Sequence, residues 1–245
     1  KGDIIATSTL DNNSKVIYDR TVPSDFTLGA VTASGGNIIE NIWNLTNTGL
    51  EIVVPIESDT TLKNGWVQVR AKIGLNNFED LGVSSSILQA DIGGNKTLLY
   101  TAAQIESITG FTENETIKLE AILYDRPGNM KNGIESINIL EIDQTPASIF
   151  YRSYKSNFSD TTLATVGDQI LLEIKSNEAI QDPSITIASN PATVVDDGGN
   201  NWSASYTMQD GDSDGIIPFE IGIVTDSRGN PNSGVISSTT NSSVV

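Results

Sequence analysis

Apolar and polar residues alternate along much of this chain with a period of two, the pattern of strands that bury one face. Trp66-Val67-Gln68-Val69-Arg70-Ala71-Lys72-Ile73 and the start of Ile117-Lys118-Leu119-Glu120-Ala121-Ile122-Leu123 follow it, and Gln169-Ile170-Leu171-Leu172-Glu173-Ile174 is a shorter β-rich run. Turn clusters separate such runs: Ser34-Gly35-Gly36-Asn37, Lys63-Asn64-Gly65, Ile92-Gly93-Gly94-Asn95 and Asp196-Asp197-Gly198-Gly199-Asn200. Short strands with turn signals every ~8 to 12 residues predict an all-β chain of antiparallel sandwiches. One segment departs from this. Thr101-Ala102-Ala103-Gln104-Ile105-Glu106-Ser107-Ile108 has a Thr cap, good helix formers and a stop at Gly110, and predicts one or two helical turns.

Internal repeats set the domain organisation. Leu123-Tyr124-Asp125-Arg126-Pro127-Gly128-Asn129 recurs as Val224-Thr225-Asp226-Ser227-Arg228-Gly229-Asn230, an apolar strand end followed by Asp-x-x-Gly-Asn. Tyr18-Asp19-Arg20-Thr21-Val22-Pro23 recurs as Ile142-Asp143-Gln144-Thr145-Pro146, and a fainter echo pairs Thr9–Val16 with Thr239–Val244. These repeats divide the chain into a terminal strand or hairpin of a preceding unit over 1–19, one complete and longer unit over 20–143, and a second unit over 144–245. A seven-stranded sandwich needs ~100 residues, so both units are large enough.

Composition narrows the chemistry. Among 245 residues there are 31 Asp+Glu against 14 Lys+Arg, a net charge of −17, with no His and no Cys. Without these two residues, His-based nucleophile systems, His- or thiolate-ligated metals and disulfides are excluded. The acidic surface repels phosphate backbones, so no nucleic-acid partner is expected, nor an anionic membrane. No run reaches the ~20 apolar residues of a membrane helix, and residues 1–20 lack the features of a signal peptide, so a soluble segment addressed by sequence outside it is expected. Catalysis is not expected either: paired carboxylates acting on a glycosidic bond would need an aromatic cleft, and Trp43, Trp66 and Trp202 are scattered. Trp202, Ala204 and Tyr206 share a strand face and read as core.

Hard cations that take oxygen ligands are the partners this composition suits, Ca²⁺ above all. If the Asp-x-x-Gly-Asn turn and the Asp-bearing linker leave a sandwich from the same end, Asp125, Asn129 and Asp143 converge at the pole facing the next unit; Glu178, at an apical turn after a strand of that unit, would add a ligand if its turn lies at the same pole, which the sequence leaves open. The corresponding sets are Asp19 with Asp59 or Glu57, and Asp226 with Asn230 toward a third unit. The same residues also serve plain turns, in which Asp and Asn bond their own backbone and glycine supplies positive φ. Asp210-Gly211-Asp212-Ser213-Asp214-Gly215 lacks the Glu of an EF-hand at the twelfth position and reads as a solvated tip. Asn-x-Ser/Thr sequons, at Asn44 among others, arise by chance in so Asn- and Thr-rich a chain.

Taken in order, Thr145-Pro146, Thr165-Val166-Gly167-Asp168, Ser176-Asn177-Glu178-Ala179-Ile180, Asn201-Trp202-Ser203-Ala204-Ser205-Tyr206 and Asp226-Ser227-Arg228-Gly229-Asn230 resemble the bacterial immunoglobulin-like repeats of giant cell-surface adhesins. Over 20–143 the likeness rests on the two ends and on Trp43–Leu50 with Val53–Ile56. The resemblance implies tandem immunoglobulin-like β-sandwiches in an extracellular stalk on a bacterial surface, stiffened by Ca²⁺ at the junctions, with neighbouring repeats as partners. The linker Asp143-Gln144-Thr145-Pro146 departs from the pattern by lacking a residue between Thr and Pro, and Asn241 stands where an Asp is common. The alternative is a binding module, in which loops of the first unit, Gly35-Gly36 and Ile73–Phe78, contact a host or surface glycan or protein.

Overall fold

The alternating runs become strands, as the burial of every second side chain requires. A computed structural model describes residues 18–237, and among them the protein is nearly all-β, with several largely antiparallel sheets consistent with a β-sandwich. The hairpin expected over 1–19, except its last two residues, and the Thr239–Val244 half of the faint repeat lie outside the described residues.

The first ten strands are β1 (Val31–Ser34), β2 (Ile42–Asn44), β3 (Gly49–Ile56), β4 (Trp66–Ile73), β5 (Glu79–Asp80), β6 (Ser85–Ser86), β7 (Gly94–Thr101), β8 (Thr116–Tyr124), β9 (Met130–Asn132) and β10 (Leu140–Asp143). They form two sheets, ordered β1-β3-β7 and β2-β10-β8-β4-β5, with β6 on β4 and β9 on β8. Both sheets supply one core: Leu50, Ile52 and Val54 of β3, Val67, Val69 and Ala71 of β4, and Ile117, Leu119 and Ala121 of β8 are all buried in it. The opposite face of β4 and β8 is charged. Glu135 sits between Lys72 (2.8 Å) and Lys118 (3.6 Å), which lie directly across the two strands, so it relieves the repulsion of that like-charged pair. Among the named strands one pairing departs from the antiparallel expectation, β2 running parallel to β10, and an isolated bridge between Thr27 and Ile134 is parallel as well.

The short helix forms where its cap predicts. It spans Ala102–Glu106, α1, with the Thr101 side chain accepting from Gln104 N and the Gln104 side chain accepting from Thr101 N, a capping box.

Eight further strands surround a second core. They are β11 (Ile149–Ser156), β12 (Gln169–Ser176), β13 (Ile185–Ile187), β14 (Asn190–Pro191), β15 (Thr193–Gly198), β16 (Asn201–Thr207), β17 (Phe219–Ile221) and β18 (Ile236–Ser237). Their sheets are ordered β11-β12-β16-β15 and β14-β13-β17-β18. Between them lie Ile170, Leu172, Ile174, Trp202, Ala204, Phe219 and Ile221. The two cores share no residue, and the chain passes from one to the other between Ile142 and Ala147.

Candidate metal centre at the crossing between the two cores

Three carboxylates meet where the chain leaves the first core. Asp143 ends β10, Glu178 follows β12, and Asp226 opens the loop Asp226–Asn230; each offers an oxygen within 4.8 Å of the others. Two oxygens bound to one Ca²⁺ at ~2.3–2.6 Å lie at most about 5 Å apart, so the spacing fits a shared cation. Asp143 and Asp226 are buried and Glu178 is half-buried.

Backbone and amide donors hold the acids in place. Asp226 Oδ1 accepts from Arg228 N (2.9 Å) and Asn230 N (2.9 Å), and Asp143 Oδ1 accepts from Thr145 N (3.2 Å). Asn230, wholly buried, donates its Nδ2 to Asp143 Oδ1 (2.8 Å) and Asp226 Oδ2 (3.0 Å). Because that amide turns its nitrogen toward the acids, its oxygen is not available as a cation ligand there; Oδ1 accepts instead from Leu45 N (2.7 Å). The Glu178 main chain is held by Ser176 Oγ, which donates to its carbonyl at 2.5 Å.

Negative charge remains in excess. Arg228 pairs with Glu141 (2.5 Å) and, more distantly, with Asp143 Oδ2 (3.4 Å), and its hydrogen bond to Glu141 holds the guanidinium charge firmly. Against this one cation stand Asp143, Glu178 and Asp226, with Glu113 nearby. Burial, and then the charges of Asp226 and Glu113, push the Asp143 carboxyl above its ordinary range. Burial raises Glu178 too, followed by the charges of Asp226 and Asp143. Buried acids that repel one another in this way favour either a proton or a cation.

The set differs from the sequence expectation. Asp125 and Asn129 do not converge with Asp143. β8 pairs with β10 through Thr116 and Ile117, so Asp143 lies at the start of β8, whereas Asp125 follows its other end, a nine-residue strand away. At ~3.3 Å per residue this separates them by roughly 30 Å. Asp125 Oδ1 accepts from Gly128 N (2.8 Å) and Asn129 N (2.7 Å), and Asn129 Nδ2 reaches back to Asp19 O (3.3 Å). Asp226 and Asn230 likewise face Asp143 rather than a third unit. Each Asp-x-x-Gly-Asn loop therefore meets the linker that enters its own half of the chain. Asp59 is a cap, its Oδ1 accepting from Thr61 N (2.8 Å) ahead of the 3-10 turn Thr60–Leu62, and Glu57 accepts from Ser24 N (2.8 Å). Asp19 accepts from Thr21 N (2.9 Å), as Asp143 does from Thr145.

Several participants carried no sequence reading of this kind. Glu113 Oε2 accepts from Gln144 N (2.7 Å) in the linker. Asn44, read as a sequon and as part of the Trp43–Leu50 likeness, is fully buried: its Nδ2 donates to Asn37 O (2.7 Å) and Arg228 O (2.8 Å), while Asn37 Nδ2 donates to Gly229 O (2.8 Å). The signal was the density of asparagine at 37, 41, 44 and 47. Compared with protein-family models and with curated proteins, the chain matches none.

Proposed function

We propose that this segment is a non-catalytic extracellular spacer of a repetitive bacterial surface adhesin, built of tandem immunoglobulin-like sandwiches whose junction is stiffened by Ca²⁺. One observation carries the reading: Asp143 stands at the crossing between two separate cores and shares its surroundings with Glu178 and Asp226 of the second. A cation there would tie the linker to the second half. It would also neutralise carboxylates that otherwise repel in a chain of net charge −17. Inter-domain contacts in one chain permit motion by default, so a shared ion at the crossing has a mechanical role available to it. Asp143, Glu178 and Asp226 would be the side-chain ligands, with the remaining positions filled by water or main-chain oxygen. The surface location and the adhesin assignment rest on the sequence resemblance.

The test is calorimetric titration of the chain with Ca²⁺, with small-angle scattering and thermal melts in millimolar Ca²⁺ and after chelation. The reading expects one binding event lost in Asp226→Asn, a higher melting temperature with Ca²⁺, and an extended particle. No heat and identical melts would overturn the Ca²⁺ assignment.

A further inference from the structure

The loop Asp226–Asn230 has a close counterpart at the far end of the first core. In each, the aspartate N–H donates to the carbonyl of the asparagine four residues on (Asp125 N to Asn129 O and Asp226 N to Asn230 O, both 3.0 Å). In each, the asparagine side-chain amide returns to the second carboxylate oxygen (2.8 Å at Asp125, 3.0 Å at Asp226). Both glycines take positive φ, 102° at Gly128 and 96° at Gly229. The following N–H of each aspartate is anchored alike, Arg126 N on Thr61 O (3.1 Å) and Ser227 N on Ala179 O (3.0 Å).

What covers the two loops differs. Over the second lies the asparagine-rich segment: Asn44 Nδ2 donates to Arg228 O, Asn37 Nδ2 to Gly229 O and Leu45 N to Asn230 Oδ1. The fit is close, since a Cβ on Gly229 would stand 2.6 Å from Asn44 Nδ2 and 3.0 Å from Asn37 Cβ. Around a Cβ on Gly128 the described residues place nothing within 4 Å. Among the described residues nothing donates to the corresponding acceptors Pro127 O, Gly128 O and Asn129 Oδ1, and Pro127 and Gly128 are exposed. Among the described residues the same polar surface is thus formed twice and covered once.

We propose that the Asp125–Asn129 loop is a docking surface for a further unit like the one over 31–143, which presents to it two side-chain amides and a main-chain N–H in the arrangement of Asn37, Asn44 and Leu45. The proposal rests on the tandem-array reading above and names the partner of its second junction. Pro127 stands where the occupied loop has Arg228, so the ion pairs to Glu141 and Asp143 have no counterpart. Amide-to-carbonyl bonds carry this contact.

The experiment exploits the absence of native cysteine. In the chain as it stands, Ile39→Cys with Gly229→Cys reports the occupied junction by disulfide formation and keeps both amides, since a Cβ on Gly229 would lie 3.1 Å from Ile39 Cγ1. In a chain with residues 20–143 duplicated in tandem, Ile39→Cys is placed in the upstream copy and Gly128→Cys in the downstream copy. Both are oxidised in chelator. Docking predicts cross-linking within about tenfold of the rate of the reference pair, because facing surfaces hold the thiols at a high effective concentration. Cross-linking about a hundredfold slower or more, as for a freely tethered neighbour, overturns it. Asn44→Ala in the upstream copy should slow the new cross-link; no effect would also count against the amide contact. Since no Ca²⁺ is present, failure here is distinguishable from failure of the Ca²⁺ titration.

Discussion

Asn230→Ala removes the side chain through which the second half grips the linker, and its counterpart Asn129→Ala provides a reference. Both asparagines donate to the carboxylate of their own loop, at 3.0 Å and 2.8 Å, so truncation costs that bond in either place. Asn230 additionally donates to the Asp143 carboxylate at 2.8 Å and accepts from Leu45 N at 2.7 Å, whereas Asn129 adds only a 3.3 Å bond to a main-chain carbonyl. A hydrogen bond to a charged group contributes about 1.5–3 kcal/mol and a neutral one about 0.5–1.5 kcal/mol. Asn230→Ala should therefore cost roughly 2–3 kcal/mol more than Asn129→Ala. For a unit of about 100 residues this lowers the melting temperature by a further ~10–20 °C. The measurement is calorimetry in chelator, with fluorescence to assign the transition, since Trp202 lies in the second core and Trp43 in the first. Costs within about 0.5 kcal/mol of one another would refute the argument that the amide holds the crossing.

Gly128→Ala and Gly229→Ala impose the same left-handed strain of about 1–2 kcal/mol, but among the described residues only the second Cβ meets neighbours, so it should cost about 1–3 kcal/mol more in urea unfolding. Asp143→Asn and Glu178→Gln remove charges that burial and like neighbours disfavour; without metal each should stabilise the chain or leave it unchanged, while weakening Ca²⁺ binding at least tenfold by titration. The pH dependence follows from the same groups. Their raised values mean that the folded state holds more protons than the unfolded one above the ordinary carboxylate range near ~4, so their contribution to metal-free stability falls as pH rises through that window. Urea melts between pH 4 and 7 should show a shallower fall in the Asp143→Asn, Glu178→Gln double variant than in the parent; parallel slopes would contradict the assignment. Saturating Ca²⁺ should flatten the parent profile, because it stabilises the ionised forms.

Local features were legible where local physics decides them. The strands over Trp66–Ile73 and Gln169–Ser176 follow from alternation, and the helical turn after Thr101 follows from its cap, because burial period and end-capping act within a few residues. The Asp-x-x-Gly-Asn turns were legible too, as their bonds close within five residues. What escaped was direction. Placing Asp125 beside Asp143 required knowing that the chain returns to the near pole, and the pairing of β8 with β10 sends it to the far one. The buried Asn44 looked like one of many sequons, since nothing near it in the chain reveals that its amide will bond Arg228 O, 184 residues away.

From sequence alone came the all-β class, the acidic excess, the absence of His and Cys, and the two recurring motifs, all properties of composition and short spacing. Tertiary structure alone decided which acids share a site. Asp143, Glu178 and Asp226 are brought together by strands that close over long separations, and the hydrogen bonds that fix them run between parts of the chain that touch only once both cores have formed. Among the described residues the same folding left one Asp-x-x-Gly-Asn loop covered by asparagine and the other with its acceptors open, a difference that the shared motif does not show.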